Sequence, residues 1–167
     1  MIQKKLHLGC GTNILKGYIN LDIMKLKGVD VTHNLNKIPY PFKNNTFDEI
    51  VANHVIEHLE NILNVVQELS RISKNGAILK IRVPYYNSQG AFQDPTHTHF
   101  FAITSFDYFT KESGYGFYSP VKFKILKKEA VPTRLGRIFP KFMRIPLSLV
   151  FGEFIRELYF ELKVIKK

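Results

Sequence analysis

LHLGCGTN, residues Leu6 to Asn13, is the stretch whose reading decides the fold. Leu6, His7 and Leu8 follow Lys4 and Lys5 and read as the end of a short buried strand. Gly9 and Gly11 then flank Cys10, and a second apolar segment, Tyr18 to Leu21, ends on Asp22. A strand running into a Gly-x-Gly turn lets backbone approach a ligand, because glycine carries no side chain to block it. An acidic residue at the tip of the next strand is placed to accept hydrogen bonds from two ribose hydroxyls. The pair describes a nucleoside-containing cofactor at the edge of a parallel sheet. Taken alone, Gly-x-Gly is also an ordinary tight turn. Ile14 stands where a third glycine would complete the dinucleotide pattern, and Asp22 comes earlier than the roughly twenty-residue spacing of that pattern. No full helix fits between these two strands.

Working outward, short apolar strands alternate with loops and helical stretches, which argues for an α/β sheet. The expected strands are about Lys4 to Leu8, Tyr18 to Asp22, Val29 to His33, Phe47 to Ala52 and Ala77 to Val83. Pro39, Pro41 and two asparagines make 34–46 a loop. Leu59, Ile62, Leu63, Val66, Leu69 and Ile72 recur at three- and four-residue steps and predict a helix packed on the sheet, with Asn75-Gly76 as its stop. Val121, Phe123 and Ile125 alternate with lysines, and Leu158, Phe160, Leu162 and Val164 alternate with polar residues, predicting two half-exposed strands. Between them, Leu147, Val150, Phe151, Phe154 and Ile155 sit at helical spacing behind Pro146, a residue suited to a first turn. One domain over residues 1–167 is expected, with a basic helical insertion at about 132–156.

Four segments carry a resemblance: LHLGCGT, GYINLDI, IPYPFKNNTFDEIVANHVIEHL and ELSRISKNGAILKIRVP. In succession they resemble the motifs of class I S-adenosylmethionine-dependent methyltransferases, the type 11 group above all, over residues 3 to about 110. The resemblance implies a Rossmann-like three-layer sandwich, mostly parallel with an antiparallel C-terminal hairpin. It implies S-adenosylmethionine as cofactor and methyl transfer as reaction. His7 stands where the family usually has an acidic residue, and the helix after the glycine turn is nearly deleted. Cofactor contacts are expected from His7, Gly9, Cys10 and Gly11, from Asp22 on the ribose, from Asn34 and Leu35 at adenine, and from Asn53 and His54 near the sulfonium. Cys10 reads as a small packing residue rather than a nucleophile. In the family likeness Glu57 and His58 tie the helix start to nearby loops.

The stretch DPTHTHFFAITSFDYF, Asp94 to Phe109, follows the fifth strand, where an acceptor would approach. Histidine titrates near neutrality, so His97 or His99 is a candidate general base; the alternative is that both only brace the loop. His54, His58, His97 and His99 could together bind zinc. With no cysteine partner, and with HVIEHL accounted for by the resemblance, no metal is expected. The acceptor is expected to be a small molecule or a glycan, including a lipid-linked intermediate.

Composition sets bounds. The 167 residues suit one domain with a real core. A single cysteine excludes a disulfide framework and points to a reducing cytoplasm. No signal peptide or membrane span is expected. The net charge is +10, and residues 122–167 carry +8 of it. That block suggests an anionic partner: the inner face of a membrane, to which Arg134, Arg137, Lys141 and Arg144 would turn, or nucleic acid. The nucleic-acid reading is the weaker, since Val83-Pro84-Tyr85-Tyr86 only faintly echoes the motif used on base amines. An NAD-type dehydrogenase is weakened by the missing third glycine. A non-catalytic cofactor-fold module that docks on a membrane or a partner enzyme is the rival from a different class.

Overall fold

The computed structural model describes residues 3–115 and 118–166. Its frame is a seven-stranded sheet: β1 Lys5–Leu8, β2 Ile19–Asp22, β3 Val31–Thr32, β4 Phe47–Asn53, β5 Ser73–Pro84, β6 Lys122–Pro132 and β7 Ile155–Ile165. The spatial order is β3-β2-β1-β4-β5-β7-β6. The first five strands run parallel, and β7 is antiparallel to both β5 and β6. The expected mostly parallel sheet with an antiparallel C-terminal pair is therefore the observed one. From β1 the chain moves outward through β2 and β3, then returns to lay β4 on the other side of β1. That reversal opens the crevice at the carboxyl ends of β1 and β4 where α/β folds bind ligands.

One face of the sheet is apolar. Leu6 and Leu8 lie in register with Ile50 and Ala52, these with Leu79 and Ile81, and these with Leu162 and Phe160. Helix α1, Ile62–Ile72, covers this face with Val65, Val66, Leu69 and Ile72, all buried. Farther along, Phe106 packs its ring 4.7 Å from Phe160. The 33–46 loop stands where a helix would otherwise lie. Tyr40 seats it: its backbone N–H donates to Glu68, its hydroxyl donates to the Leu35 carbonyl, and Arg71 donates to the Tyr40 and Phe42 carbonyls.

The opposite face is polar. Among the described residues, no helix lies between β1 and β2 or between β2 and β3; the β1–β2 crossover covers the His7–Asn20 end of this face as loop, with Leu15 and Tyr18 bonded to the Asn20 side chain. Glu49 takes Lys80 at 2.8 Å and the Tyr18 hydroxyl. Arg82 lies 4.6 Å from the Tyr159 ring centre and 3.0 Å from Glu157.

Two boundaries differ from expectation. Asn75-Gly76 does not stop α1. The helix ends at Ile72, and both residues lie inside β5, with Gly76 at φ +81 beside an irregularity in the β4–β5 register. The inserted helix, α3 Lys141–Phe151, starts after Pro140 and holds Pro146 inside it rather than in its first turn. Phe154 and Ile155 are buried but lie beyond the helix. The short helix α2 spans Gln89–Phe92.

Candidate functional site

Two adjoining cavities occupy the crevice. The first, about 320 Å³, is lined by Gly9, Asp22, Ile23, His33, Asn34, Leu35, His54, Val55, His58 and Leu59 among others. The second, about 610 Å³, is lined by His54, Glu57, His58, Gln93, Asp94, His97, Arg156 and Glu157 among others. They share His54 and His58. Larger open grooves beside Lys111 lie at the amino ends of the parallel strands, away from the crevice.

Backbone geometry builds the first cavity. Gly9 leaves β1 at φ +57, and a Cβ there would stand 2.3 Å from Val55 Cγ2. The glycine is what lets the turn after β1 close onto the turn after β4. Gly11, at φ +50, has nothing within 4 Å of a hypothetical Cβ, so its outer side is open. Its N–H donates to Asp22 Oδ2 at 2.7 Å, and the Met24 N–H donates to Oδ1 at 2.9 Å. Each carboxylate oxygen keeps lone-pair capacity for a further donor. Asn34 Oδ1 accepts from the Asn36 N–H at 2.9 Å, and its side-chain NH2 has no partner among the described residues. Ile23, Leu35 and Leu59 give apolar wall. A carboxylate, an amide donor and an apolar slot fit the diol and the ring of a nucleoside.

The second cavity is polar and tightly cross-braced. His54 sits at φ +51. Its ring lies 3.0 Å from Glu157 and 3.3 Å from Glu57, and these carboxylates push its pKa up to about 9. His54 is therefore an imidazolium at neutral pH and no base. In return, Glu157 is held down at about 2 by His54, with Arg156 assisting. The Glu57 backbone carbonyl accepts the Thr98 and His99 N–H groups at 2.9 and 3.2 Å. This clip lays the 94–99 loop across the turn after β4.

The base and brace readings of the two loop histidines separate here. His99 lies within 3.3 Å of the Glu60 carbonyl through Nε2 and does not line the cavity, so it braces. His97 lines the cavity, with Nδ1 2.9 Å from the Ala91 carbonyl. A carbonyl only accepts, so Nδ1 carries the proton and Nε2 is left with its lone pair.

Of the expected cofactor residues, Gly9, Asp22, Asn34, Leu35 and His54 come together at the first cavity, and Gly11 shapes it through Asp22. His7, Cys10 and Asn53 are not brought to it. The parity of β1 turns His7 to the polar face, where its buried ring meets Asn20 at 3.3 Å and burial lowers its pKa. Cys10 packs inward, 3% exposed, its thiol pKa raised by burial. Asn53 shares its face with Arg82 in the β4–β5 register. Missed were Ile23, Val55, Arg156 and Glu157. Ile23 and Val55 each follow a recognised residue. Arg156 and Glu157 arrive from a strand start a hundred residues away, with no local signal.

A family model described as a methyltransferase domain matches residues 24–81, from the turn after β2 into β5. No curated protein matches the chain. Among solved structures, the S-adenosylmethionine-dependent methyltransferase of Archaeoglobus fulgidus superposes with TM-score 0.69 at 15% identity, over 96% of this chain and 86% of that one. A Thermotoga maritima methyltransferase described as a possible histamine N-methyltransferase gives 0.63 at 16% identity, over 98% and 82%. The [4+2]-cyclase SpnF gives 0.64 at 15%, over 99% and 75%. Likeness at such identities shows the fold, and a fold hosts more than one reaction. The family match and the strand order bear out the resemblance to class I S-adenosylmethionine-dependent methyltransferases.

Proposed function

We propose that the chain transfers a methyl group from S-adenosylmethionine to a hydroxyl or amine of a polar acceptor, a glycan or a lipid-linked glycan precursor. The observation that carries this reading is the shared wall: the nucleoside-sized cavity opens past His54 and His58 into a cavity lined by charged and polar groups. S-adenosylmethionine supplies a methyl carbon made electrophilic by a positively charged sulfur. The chain's own residues do the rest. Asp22 holds the ribose, Asn34 and Leu35 take the adenine, and the open side of Gly11 admits the amino-acid end. Asp94, Arg156 and Glu157 orient the acceptor by hydrogen bonds. His97 Nε2, with its lone pair free, would take the acceptor's proton as the methyl group is accepted. Alignment contributes most in such a displacement, which suits a site braced from three sides.

Titration calorimetry with S-adenosylmethionine and S-adenosylhomocysteine tests the reading. The wild type binds both, and Asp22→Ala weakens binding by about 1.5–3 kcal/mol, the cost of losing hydrogen bonds to a charged acceptor. Equal affinities remove Asp22 from the cofactor site. A wild type that binds neither compound turns the chain into the non-catalytic docking module.

The lipid-linked part of the reading rests on α3. The helix buries Ser148 against the Tyr85 hydroxyl and turns Phe142, Leu149, Val150 and Phe151 outward, each more than 60% exposed, with Ile138 just ahead at 76%. Of the apolar stripe read from the sequence, Leu147 is half-buried while Val150 and Phe151 face outward. Arg134, Arg137 and Lys141 are exposed beside this patch. Apolar side chains rimmed by cations suit an anionic bilayer surface. Among the described residues, no helix is long and apolar enough to cross a membrane.

A further inference from the structure

The turn after β4 leaves a problem unsolved by methyl transfer. Glu57 is 0% exposed, and neither carboxylate oxygen has a hydrogen-bond partner among the described residues. Its one close charge is the His54 ring, 3.3 Å from Oε1. That ion pair serves Oε1, but Oε2 is left with no partner among the described residues, and a buried oxygen so orphaned asks for a water or an ion. A bland brace for the loop would not need this side chain, since the bracing bonds run to the Glu57 backbone carbonyl.

The two nearest histidines are arranged around that carboxylate. His58 and His97 stack edge to face with ring centres 4.6 Å apart. One ligand atom from each of Glu57, His58 and His97 falls within 4.8 Å of the others. The free nitrogens follow from the bonds behind them. His97 Nδ1 faces the Ala91 carbonyl, which leaves Nε2 as the lone-pair atom. His58 Nδ1 faces Thr96 Oγ1 at 2.8 Å, and that hydroxyl gives its proton to Asp94 Oδ1 at 2.7 Å. Thr96 can then only accept from His58, so His58 also carries its proton on Nδ1 and presents Nε2. Metal-binding histidines are fixed in this way, the far ring nitrogen donating to a carbonyl or to a hydroxyl–carboxylate relay.

We propose that Glu57, His58 and His97 form a mononuclear site for a divalent transition metal, zinc the first candidate, with an open coordination position facing the acceptor cavity. Two imidazoles and one carboxylate are a ligand set of zinc sites that keep a fourth position for water or substrate. Ligand bonds of about 2.0–2.2 Å require the three atoms to draw in from their present spread. That asks for rotation of the two rings and of the Glu57 side chain over a backbone already clipped by the Glu57 carbonyl. All three residues line the second cavity, so an acceptor hydroxyl on the open position would lose its proton more readily. With metal bound, the His97 lone pair is engaged, and the metal replaces it in promoting proton loss. The site stands on this geometry and does not depend on the methyl-transfer reading.

The test is metal retention by the full chain. Protein stripped with a chelator is equilibrated with zinc, passed through a desalting column and assayed by elemental analysis; cobalt, whose visible spectrum reports coordination, is run in parallel. The wild type retains one zinc per chain and gains thermal stability on binding it. His97→Ala and Glu57→Gln, the latter isosteric and suited to keeping the fold, retain none while their metal-free circular dichroism matches wild type. Thr96→Val, which breaks the relay behind His58, binds about 10- to 100-fold more weakly. Zinc-free wild type after equilibration, or retention by either ligand variant, overturns the proposal. Cofactor titration on the metal-free protein reads the methyl-transfer proposal separately, so the two can fail independently.

Discussion

Gly9→Ala isolates the contact that closes the crevice. Its φ of +57 lies in the left-handed region, where an alanine costs about 1–2 kcal/mol. The added Cβ would also stand 2.3 Å from Val55 Cγ2 and 2.7 Å from Val55 Cβ. Rotating Val55 moves Cγ2 but leaves its Cβ in place, so β1 or the turn after β4 must shift. Overpacking of this kind costs about 1–3 kcal/mol, which brings the expected loss to about 2–5 kcal/mol. Gly11→Ala is the control: its φ is +50 and its Cβ would meet nothing within 4 Å, so only the conformational part remains, about 1–2 kcal/mol. Urea denaturation of both variants measures the gap. A second substitution sharpens it, since Val55→Gly in the Gly9→Ala background removes both offending carbons and should recover more than Val55→Gly costs alone. Gly9→Ala no more destabilising than Gly11→Ala, or no coupling to Val55, would refute the claim that glycine is there for close approach.

Co-sedimentation with anionic vesicles at low salt should capture the wild type, with each basic residue near the surface contributing about 1 kcal/mol, and high salt should release it; Phe142→Ser with Phe151→Ser should weaken capture about tenfold or more, while equal binding to neutral vesicles would count against an electrostatic surface. Burial alone would raise the Glu68 carboxyl, but Arg71 and the Tyr40 N–H bring it below its ordinary 4.5. Glu68→Gln should therefore cost about 1.5–3 kcal/mol at neutral pH. Because the folded value is depressed, that advantage is full above the ordinary value and fades as pH falls through the folded one; a gap between wild type and variant that persists unchanged in acid would contradict it.

Much of the parallel half could be read from local signals. The glycine turn, Asp22 and the α1 stripe announce themselves because short-range chemistry creates them: a positive φ, a strand tip, a helix repeat. The α1 stop at Asn75-Gly76 misleads because strand pairing extends β5 back to Ser73 and uses the glycine for an irregular register instead. The α3 segment misleads for another reason. An apolar stripe at helical spacing says only that something apolar or interfacial faces it, not that the sheet does. Here the helix meets the strand ends through Ser148 and Asn87, and its apolar side points away. The acceptor cavity was half legible: His97 stands in a conspicuous motif, but Glu157 meets His54 across 103 residues, and no local pattern encodes that pairing.

The polar sheet face explains how so short a chain can keep this site. Parallel strands usually read as continuous apolar runs because helices cover both faces. In β5, Ile78, Lys80 and Arg82 alternate with buried Ala77, Leu79, Ile81 and Val83, the pattern of a sheet wet on one side. The Glu49–Lys80–Tyr18 and Arg82–Tyr159–Glu157 groups satisfy that face with their own partners. The helices between β1 and β2 and between β2 and β3 can then be omitted without stranding apolar surface. The crevice survives the omission because its walls are turns at the carboxyl ends of the strands: 9–11, 22–23, 33–35, 54–58 and 94–97. Those turns are held by bonds to one another, Gly11 to Asp22 and Thr98 to Glu57. Substitutions at Glu49 or Lys80 on the polar face should therefore move stability while leaving cofactor binding to the folded protein unchanged, whereas substitutions at Gly9, Asp22, Glu57 or Glu157 act on the crevice directly.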